Sequence, residues 1–233
     1  MRALVFRLFS IRQELAVELQ RFILLWRYQY HVPPLRLWWR LLLKRVVDVI
    51  ASAVGLVLTA PVMAVIALAV KLDSRGPSIY AQQRVGRFGD LFMMYKFRTM
   101  RADAEANGPV WCSRGQDSRL TRVGAFLRRT HLDELPQLFN VLIGEMSLVG
   151  PRPERLFFVE ELKDAVQGYD DRLLIKPGIT GLAQVHYRYD ESVADVVRKL
   201  RFDRLYIKRL CLALDVRILV WTLFVVATGR GIK

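Results

Sequence analysis

Two adjacent carboxylates, Asp133 and Glu134, follow a pair of arginines, Arg128 and Arg129. Pro136 comes three residues after Asp133, and proline fits the first turn of a helix because a missing N–H is tolerated there. We therefore expect Asp133 to be the N-cap of a helix, where free N–H groups and a partial positive charge keep a carboxylate ionised and attract phosphate. This acidic pair is suited to phosphoryl chemistry with a divalent cation, although acids at a helix start often serve only as a cap.

The chain as a whole is both basic and apolar. Its 233 residues predict one or two domains, 53% of them are hydrophobic, and the formal net charge is +14. This balance points to an anionic membrane surface, nucleic acid or phosphorylated substrates as partners. Cys112 and Cys211 are isolated in the sequence, so neither a zinc motif nor a disulfide framework is indicated, and we expect reduced thiols in a cytoplasmic setting.

Residues 1–30 combine an apolar repeat at helical spacing with interspersed arginines, which predicts a basic amphipathic helix. The arginines interrupt the apolar run and no small-residue cleavage site follows, so we do not expect a signal peptide. Such a helix is suited to lying in a lipid headgroup layer, to pairing with a second copy in a homodimer, or to ordinary packing. Pro33 and Pro34 break the chain, and Trp38 and Trp39 then indicate an approach to a membrane interface.

Residues 46–70 form an apolar run that contains a single charge, Asp48. A straight helix of this length would cover about 37 Å, enough to cross a bilayer core of about 30 Å. However, Pro61 lies inside the run and predicts a kink, and both flanks are basic, which favours the cytoplasmic side for both ends. The residues alone leave two alternatives open: a spanning helix, and a re-entrant helical hairpin bent at Ala60 and Pro61.

Residues 78–85 and 91–97 read as two strands joined by a glycine-rich turn, which predicts a β-hairpin just above the membrane. Residues 103–118 are polar and turn-rich, and we expect a surface loop there. Further helices are predicted at residues 154–167, 193–208 and 210–227. The last of these is apolar but interrupted by charges, so we interpret it as an interfacial helix with Trp221 as its anchor.

Four sequence blocks stand out: QQRVGRFGDLFMMYKFRTM (82–100), LRRTHLDELPQLFNVLIGEMSLVGPRPE (127–154), KPGITGLAQV (176–185) and FDRLYIKRLCLALDVRIL (202–219). These blocks resemble the bacterial sugar transferases, the monotopic phosphoglycosyl transferases. The likeness extends from Lys44 to about Gly231, and residues 1–43 lie outside it. Separate blocks that occur in one order are far more specific than a single motif.

The resemblance implies a fold of the α+β class that is mostly helical. We expect a membrane-embedded re-entrant helix hairpin, interfacial amphipathic helices and a small cytoplasmic catalytic domain with a β-hairpin. The domain boundaries follow: a basic amphipathic N-terminal extension at residues 1–43, the re-entrant membrane helix at 44–72, and the catalytic domain with its interfacial C-terminal helix at 73–231. The expected location is the cytoplasmic face of the bacterial inner membrane, against an anionic lipid bilayer.

The resemblance also implies an activity, the transfer of a sugar-1-phosphate from a UDP-sugar to polyprenyl phosphate, usually undecaprenyl phosphate, with release of UMP. This would be the first membrane step of exopolysaccharide, capsule or glycoconjugate synthesis. Asp133 would be the nucleophile that carries a covalent phosphosugar, and Glu134, with Asp133, would bind Mg²⁺, which prefers hard oxygen ligands. The cations expected to hold phosphates and nucleotide are Lys96, Arg98, Arg128, Arg152 and Arg188.

Two other classes of function compete with this hypothesis. One is a non-catalytic membrane scaffold of a polysaccharide assembly complex, in which the acidic pair is only a cap; metal-dependent release of UMP from UDP-sugars would distinguish it. The other is a nucleic-acid binder, suggested by the charge alone. The apolar run and the lack of a recognisable binding motif argue against nucleic acid as a partner.

Overall fold

The computed structural model of the chain describes residues 16–29, 32–101, 104, 118–187 and 193–228. Over these ranges the protein is mostly helical, with two small two-stranded sheets, which agrees with the predicted α+β class. Three predictions fall wholly or largely outside the described residues. They are the first half of the N-terminal helix, the loop at 103–118 and the substrate contact assigned to Arg188.

Helix α1, described from residue 16 to residue 28, packs against the rest of the protein. Leu25 has no exposed surface and belongs to the largest cluster of buried apolar side chains. The side-chain amide of Gln29, just after the helix, donates a hydrogen bond to the backbone oxygen of Ile207. The other face of α1 leaves Leu19 59% exposed. This part of the extension therefore contributes to the core and also presents apolar side chains outward.

Helix α2 (Pro34–Asp73) is continuous over 40 residues. Proline at its first position is tolerated because the first N–H groups of a helix have no internal partner. Ala60 and Pro61 both lie within the helix, so the predicted re-entrant hairpin is not confirmed, and the helix passes through residue 43 without a break. Among the described residues, α2 is the one helix long and apolar enough to cross a membrane. Its middle is uncovered, with Val57 74% exposed.

The first half of α2 is tied to the C-terminal part of the chain by charged side chains. Lys44 Nζ lies 2.9 Å from Asp215 Oδ2, and both side chains are largely buried. Asp48, the single charge in the apolar run, accepts a hydrogen bond of 3.0 Å from the backbone N–H of Leu148. A buried charge without such a partner would be strongly destabilising, which explains why this apolar helix tolerates Lys44 and Asp48.

The second half of α2 packs on the same body of protein. Ile66 and Val70 join a buried cluster with Phe97 and Leu127. Near the C-terminus of the helix, Asp73 accepts a hydrogen bond of 3.0 Å from the backbone N–H at residue 123. Both ends of α2 therefore contact one folded unit, while one side of its middle, which includes Val57 and Leu58, is exposed.

The predicted β-hairpin is confirmed. Strand β1 (Ile79–Val85) pairs in antiparallel register with strand β2 (Leu91–Phe97). A short 3-10 turn (Arg87–Gly89) joins them, in which Phe88 has a left-handed φ of 59°. The guanidinium of Arg21, on α1, lies 4.9 Å from the centre of the Phe88 ring, so α1 also contacts the tip of the hairpin.

Four elements follow the hairpin: α3 (Arg122–Thr130), a 3-10 turn (Leu132–Glu134), α4 (Gln137–Ile143) and β3 (Ser147–Val149). The prediction that Asp133 caps the helix is wrong, because α4 begins only at Gln137. His131 ends α3 with a left-handed φ of 57°, and the chain then tightens into the 3-10 turn that contains Asp133. Pro136, rather than Asp133, occupies the N-cap position of α4.

The remaining elements are α5 (Leu156–Ala165), a 3-10 turn (Tyr169–Leu174), β4 (Gly178–Thr180), α6 (Leu182–His186), α7 (Val193–Lys208) and α8 (Leu212–Thr228). Strand β4 pairs in parallel with β3. A Cβ atom at Gly178 would lie 2.1 Å from the backbone nitrogen of Gly150, so this close crossing requires glycine. Helix α8 buries Ile218 and exposes Val220 and Leu223, as an interfacial helix would.

Candidate active site

Glu134 lies at the centre of a charged cluster assembled from three segments. Lys96 Nζ, on β2, is 3.1 Å from Glu134 Oε1, and Arg152 Nη2 is 3.2 Å from the same oxygen. Glu134 and Lys96 are largely buried, whereas the Arg152 side chain is 44% exposed. The structure thus brings together three residues that the sequence singled out, and it leaves Arg152 accessible from solvent.

The cations keep Glu134 ionised. Burial alone would raise its pKa, but the charges of Lys96 and Arg152 outweigh burial and hold the pKa of Glu134 far below its usual range. In return, the charge of Glu134 raises the pKa of Arg152. Burial lowers the pKa of Lys96, and the negative charge of Glu134 offsets part of that change. The cluster therefore holds a fixed negative charge between two cations.

Asp133 behaves differently from its neighbour. It is 7% exposed, and burial, followed by the charge of Glu134, raises its pKa above the usual range for aspartate. The positive charges of Lys96 and Arg128 partly oppose that rise. Two carboxylates whose environments push their pKa values apart are typical of sites that carry out acid–base or nucleophilic chemistry.

Asn140, on α4, fixes the distance between Lys96 and the acidic pair. Its side-chain oxygen accepts a hydrogen bond of 3.1 Å from the N–H of Tyr95, and its amide group donates to the backbone oxygen of Met93 at 2.7 Å. Both partners lie on β2, so Asn140 locks that strand to the segment that carries Asp133 and Glu134. Sequence reasoning missed Asn140, because its partners lie more than forty residues away and no local pattern indicates them.

Arg128 approaches the site from the last turn of α3. Its Nε donates a hydrogen bond of 3.2 Å to the hydroxyl of Thr99, and its charge acts on Asp133. Helix α3 lies flush against this segment, since a Cβ atom at Gly124 would fall 1.9 Å from the backbone oxygen of Thr99. The predicted position of Arg128 beside the acidic pair is therefore supported by the geometry.

Arg98 is placed elsewhere. Its guanidinium is buried and donates hydrogen bonds to the backbone oxygen and hydroxyl of Ser74, at 2.7 and 2.9 Å. A Cβ atom at Gly76 would lie 2.3 Å from Arg98 Nη1. These contacts surround the C-terminus of α2, where a cation is favoured by unpaired carbonyl groups. The sequence suggested that Arg98 holds substrate at the acidic pair. In the structure, Arg98 instead anchors the C-terminus of α2.

Arg152 stands on a stiff, well-anchored stretch of chain between Pro151 and Pro153. The backbone N–H of Gly178 donates to the oxygen of Pro151 at 2.9 Å, and Arg84 donates to the oxygen of Pro153 at 3.3 Å. A pocket opens beside this stretch. It is lined by Val85, Gly86, Pro151, Arg152, Pro153, Glu154, Val159, Tyr169, Arg172, Leu173, Ile175 and Pro177.

The acidic pair fits a magnesium ion only in partnership with a substrate. Among the described residues, no group of three or more His, Cys, Asp and Glu side chains is placed to hold a metal ion. Mg²⁺ usually keeps several waters and takes one or two carboxylates together with phosphate oxygens. Asp133 and Glu134 offer such hard oxygen donors, and the burial and mutual repulsion that raise the pKa of Asp133 would be relieved by a cation.

Comparison with known proteins agrees with the geometry. The profile of a family described as bacterial sugar transferase matches residues 39–229. A Bacillus subtilis protein with the provisional name undecaprenyl-phosphate N-acetylgalactosaminyl 1-phosphate transferase is 46% identical over 157 residues, which cover 67% of this chain and 83% of that protein.

Two further relatives are similar over more of this chain. The UDP-N-acetylgalactosamine-undecaprenyl-phosphate N-acetylgalactosaminephosphotransferase of Aeromonas hydrophila is 41% identical over 82% of the chain and 45% of its own length. The UDP-glucose:undecaprenyl-phosphate glucose-1-phosphate transferase of Klebsiella pneumoniae is 43% identical over 78% of the chain and 39% of its own length. The chain thus spans less than half the length of these two relatives. Since the family profile matches well over half of the chain, this protein belongs to the bacterial sugar transferase family.

Proposed function

We propose that this protein transfers a sugar-1-phosphate from a UDP-sugar to undecaprenyl phosphate and releases UMP, as the first membrane step in building a surface polysaccharide or glycoconjugate. The observation that carries this proposal is the pairing of Glu134 with Lys96 and Arg152 directly beside the buried Asp133. An ionisable oxygen set among cations suits attack on a diphosphate, whose own charge would otherwise repel an anion. The names of the relatives support the same substrate classes.

In the first half of the reaction, a carboxylate oxygen of Asp133 attacks the β-phosphorus of the UDP-sugar. A bond forms between that oxygen and phosphorus, and the bond from phosphorus to the bridging oxygen breaks, so UMP leaves with the electron pair. In the second half, an oxygen of undecaprenyl phosphate attacks the same phosphorus, and Asp133 leaves as a free carboxylate. Carboxylate nucleophiles that form such acyl phosphates are an established type.

The surrounding side chains hold charge in both steps. Lys96 and Arg152 already contact Glu134 and are positioned to receive phosphate oxygens. Arg128 lies close enough to Asp133 to act on its charge. We assign the same phosphate-binding role to Arg188, which lies outside the described residues. Glu134, with Asp133, would hold Mg²⁺, which when bound offsets the negative charge of the diphosphate.

We propose that α2 dips into one leaflet of the bacterial inner membrane and returns to the cytoplasmic face, with Pro61 near its deepest point. Both ends of the helix contact one folded unit, and the apolar side chains between them are uncovered. The exposed apolar side of α8 would lie along the same interface. A site at headgroup height lets a soluble sugar nucleotide meet a lipid phosphate that cannot leave the bilayer.

The purified full-length protein, reconstituted with undecaprenyl phosphate and Mg²⁺, tests this proposal. We expect UMP release from at least one of UDP-glucose, UDP-galactose and UDP-N-acetylgalactosamine. Asp133→Asn should abolish it, while Asp170→Asn, which changes an exposed ion pair with Lys163, should leave it unchanged. Full activity in Asp133→Asn would reject the nucleophile assignment. Absence of UMP release with every donor would favour a membrane scaffold instead.

A further inference from the structure

Arg172 is a buried cation held by three separate segments. Its Nη1 donates a hydrogen bond of 2.7 Å to the hydroxyl of Tyr169, in the same 3-10 turn. Its Nε lies 3.2 Å from Asp203 Oδ2, on α7. Its Nη2 donates a hydrogen bond of 2.9 Å to the backbone oxygen of Arg152. The side chains of Arg172 and Asp203 are 10% and 3% exposed, so this pair is almost fully removed from water.

The pair is charged despite its burial. Burial opposes the charge of Arg172, but the nearby Tyr169 and Asp203 outweigh it and raise the pKa of the guanidinium. Burial raises the pKa of Tyr169 to about 12, so its hydroxyl remains protonated at neutral pH. A buried ion pair contributes little net stability compared with well-packed apolar side chains, because both partners lose their hydration. Stability alone is therefore a poor explanation for placing a charged pair here.

We propose that Tyr169, Arg172 and Asp203 form a positioning network that sets the direction in which Arg152 meets Glu134 during sugar-phosphate transfer. This inference rests on the function proposed above. The link is direct: Arg172 holds the backbone oxygen of Arg152, and the Arg152 side chain lies 3.2 Å from Glu134 Oε1. None of the three network residues belongs to the predicted site.

The local backbone makes this control effective. Pro151 and Pro153 fix φ on both sides of Arg152, so holding its carbonyl group also holds the origin of its side chain. The Arg152 side chain is 44% exposed. A displacement of about 1 Å at a group that orients phosphate can lower a rate by about 100-fold. We therefore expect the contact of Arg172 with the Arg152 carbonyl to affect the rate of sugar-phosphate transfer.

Arginine is the residue type that this position requires. Its planar guanidinium has five N–H groups in a fixed fork, and here its three nitrogen atoms lie within 3.2 Å of three different partners. Lysine carries the same charge on a single nitrogen, so it cannot reach the Tyr169 hydroxyl, the Asp203 carboxylate and the Arg152 carbonyl in the same geometry. Arg172→Lys thus keeps the positive charge but removes the contacts that position Arg152.

The same two elements carry a matched control pair. Arg204, on α7, lies 2.7 Å from Asp171, in the same 3-10 turn as Arg172, but both side chains are about one-third exposed. Arg204 also donates to the backbone oxygens of Gln167 and Gly168 rather than to that of Arg152. Arg204→Lys therefore changes the contact between the turn and α7 without changing the support of Arg152.

The variants to compare are Arg172→Lys and Asp203→Asn against Arg204→Lys and Asp171→Asn, each as the purified full-length protein in lipid nanodiscs. We expect the first two to lower kcat/KM for UMP release by about 10- to 100-fold. The two controls should stay within about twofold of wild type, as is usual for exposed ion pairs. Equal activity in all four variants would overturn the proposal while leaving the proposed function intact.

A second readout depends on ligand binding and not on turnover. Arg152 is positioned to receive phosphate oxygens, so displacing it should weaken the binding of a nucleoside diphosphate. Isothermal titration calorimetry of the protein with UDP and Mg²⁺ measures this affinity directly.

We expect weaker binding of UDP in Arg172→Lys and Asp203→Asn, and an affinity within about twofold of wild type in Arg204→Lys. A UDP affinity that matches wild type in the folded Arg172→Lys and Asp203→Asn variants would overturn the proposal. This binding measurement decides the question even if none of the donors tested releases UMP, so failure of the network and failure of the proposed function are distinguishable. If Arg172→Lys does not fold, Asp203→Asn and Tyr169→Phe provide the same comparison.

Discussion

At the scale of single residues, the site depends on two neighbouring carboxylates with unlike electrostatics. Contacts with Lys96 and Arg152 hold the pKa of Glu134 low, while burial and the charge of Glu134 raise the pKa of Asp133. A nucleophile with a raised pKa is more basic than an ordinary aspartate, and it is active only when ionised. Activity should therefore fall as the pH decreases through the pKa of Asp133.

Replacing Lys96 by methionine tests this electrostatic account. The positive charge of Lys96 lowers the pKa of both Asp133 and Glu134, so Lys96→Met should raise both pKa values. More Asp133 is then protonated at a given pH. We expect the acidic limb of the kcat/KM profile to move to higher pH, in addition to a lower maximum. An acidic limb that stays in place, or moves to lower pH, would contradict the assignment of Asp133 as the ionised nucleophile.

Arg98 provides the contrasting prediction, because its contacts lie at the end of α2. Arg98→Met should lower the thermal stability of the protein, since the helix carbonyls and Ser74 lose their partner and hydrogen bonds to charged groups contribute about 1.5–3 kcal/mol. The KM for the UDP-sugar should remain close to wild type. A large rise in KM with unchanged melting temperature would restore the substrate contact that the sequence suggested.

At the scale of secondary-structure elements, local patterns predicted what depends on local chemistry. The two strands, their glycine-rich turn and the helix Val193–Lys208 lie where the sequence placed them. Asp133 failed as a cap because the left-handed His131 and a 3-10 turn intervene before α4. No local sequence pattern predicts that turn, which packs between α3 and the β-hairpin.

Long-range contacts account for the other omissions. Asn140 joins β2 from a distance of more than forty residues, and Arg172 meets Asp203 across the interface of a turn and a helix. In the sequence alone these are ordinary polar residues in polar stretches. Lys96, Arg128 and Arg152 were identified because they fall in blocks shared with a family, while the side-chain geometry that unites them emerges only in three dimensions.

The packing of α1 gives a matched pair of adjacent leucines. Leu25 is fully buried, whereas Leu24 is 49% exposed. Leu25→Ala should lower the free energy of unfolding by about 2–5 kcal/mol, as large-to-small changes in a core do. Leu24→Ala should change it by less than about 0.5 kcal/mol in detergent. Denaturant titration of both variants measures the difference, and equal stabilities would show that α1 does not pack on the core in solution.

At the scale of the whole molecule, the region that holds the candidate site packs against a long apolar helix, one side of which is exposed. Both ends of α2 contact that region. We interpret the exposed apolar sides of α2 and α8 as a membrane-facing surface. The exposed apolar face of α1 adds either to this surface or to contact with a second copy of the chain. Such a surface supports the proposal that the site is held at the membrane.

Single-cysteine labelling tests the re-entrant path. In a background with Cys112→Ser and Cys211→Ser, Arg36→Cys and Arg75→Cys place a thiol near each end of α2. A membrane-impermeant maleimide should label both thiols in inverted inner-membrane vesicles and neither in intact spheroplasts, because both ends face the cytoplasm in a re-entrant helix. Labelling of one end from the periplasmic side would contradict the proposal and favour a spanning helix.

The most direct test of the account is to trap the phosphosugar on the protein. The full-length enzyme is incubated with Mg²⁺ and the UDP-sugar that supports UMP release, without undecaprenyl phosphate, and then analysed by intact-protein and peptide mass spectrometry. We predict an added sugar phosphate on the peptide that contains Asp133, its absence in Asp133→Asn, and its disappearance when undecaprenyl phosphate is added. No adduct, together with kinetics that require both substrates to be bound before UMP is released, would contradict the covalent mechanism.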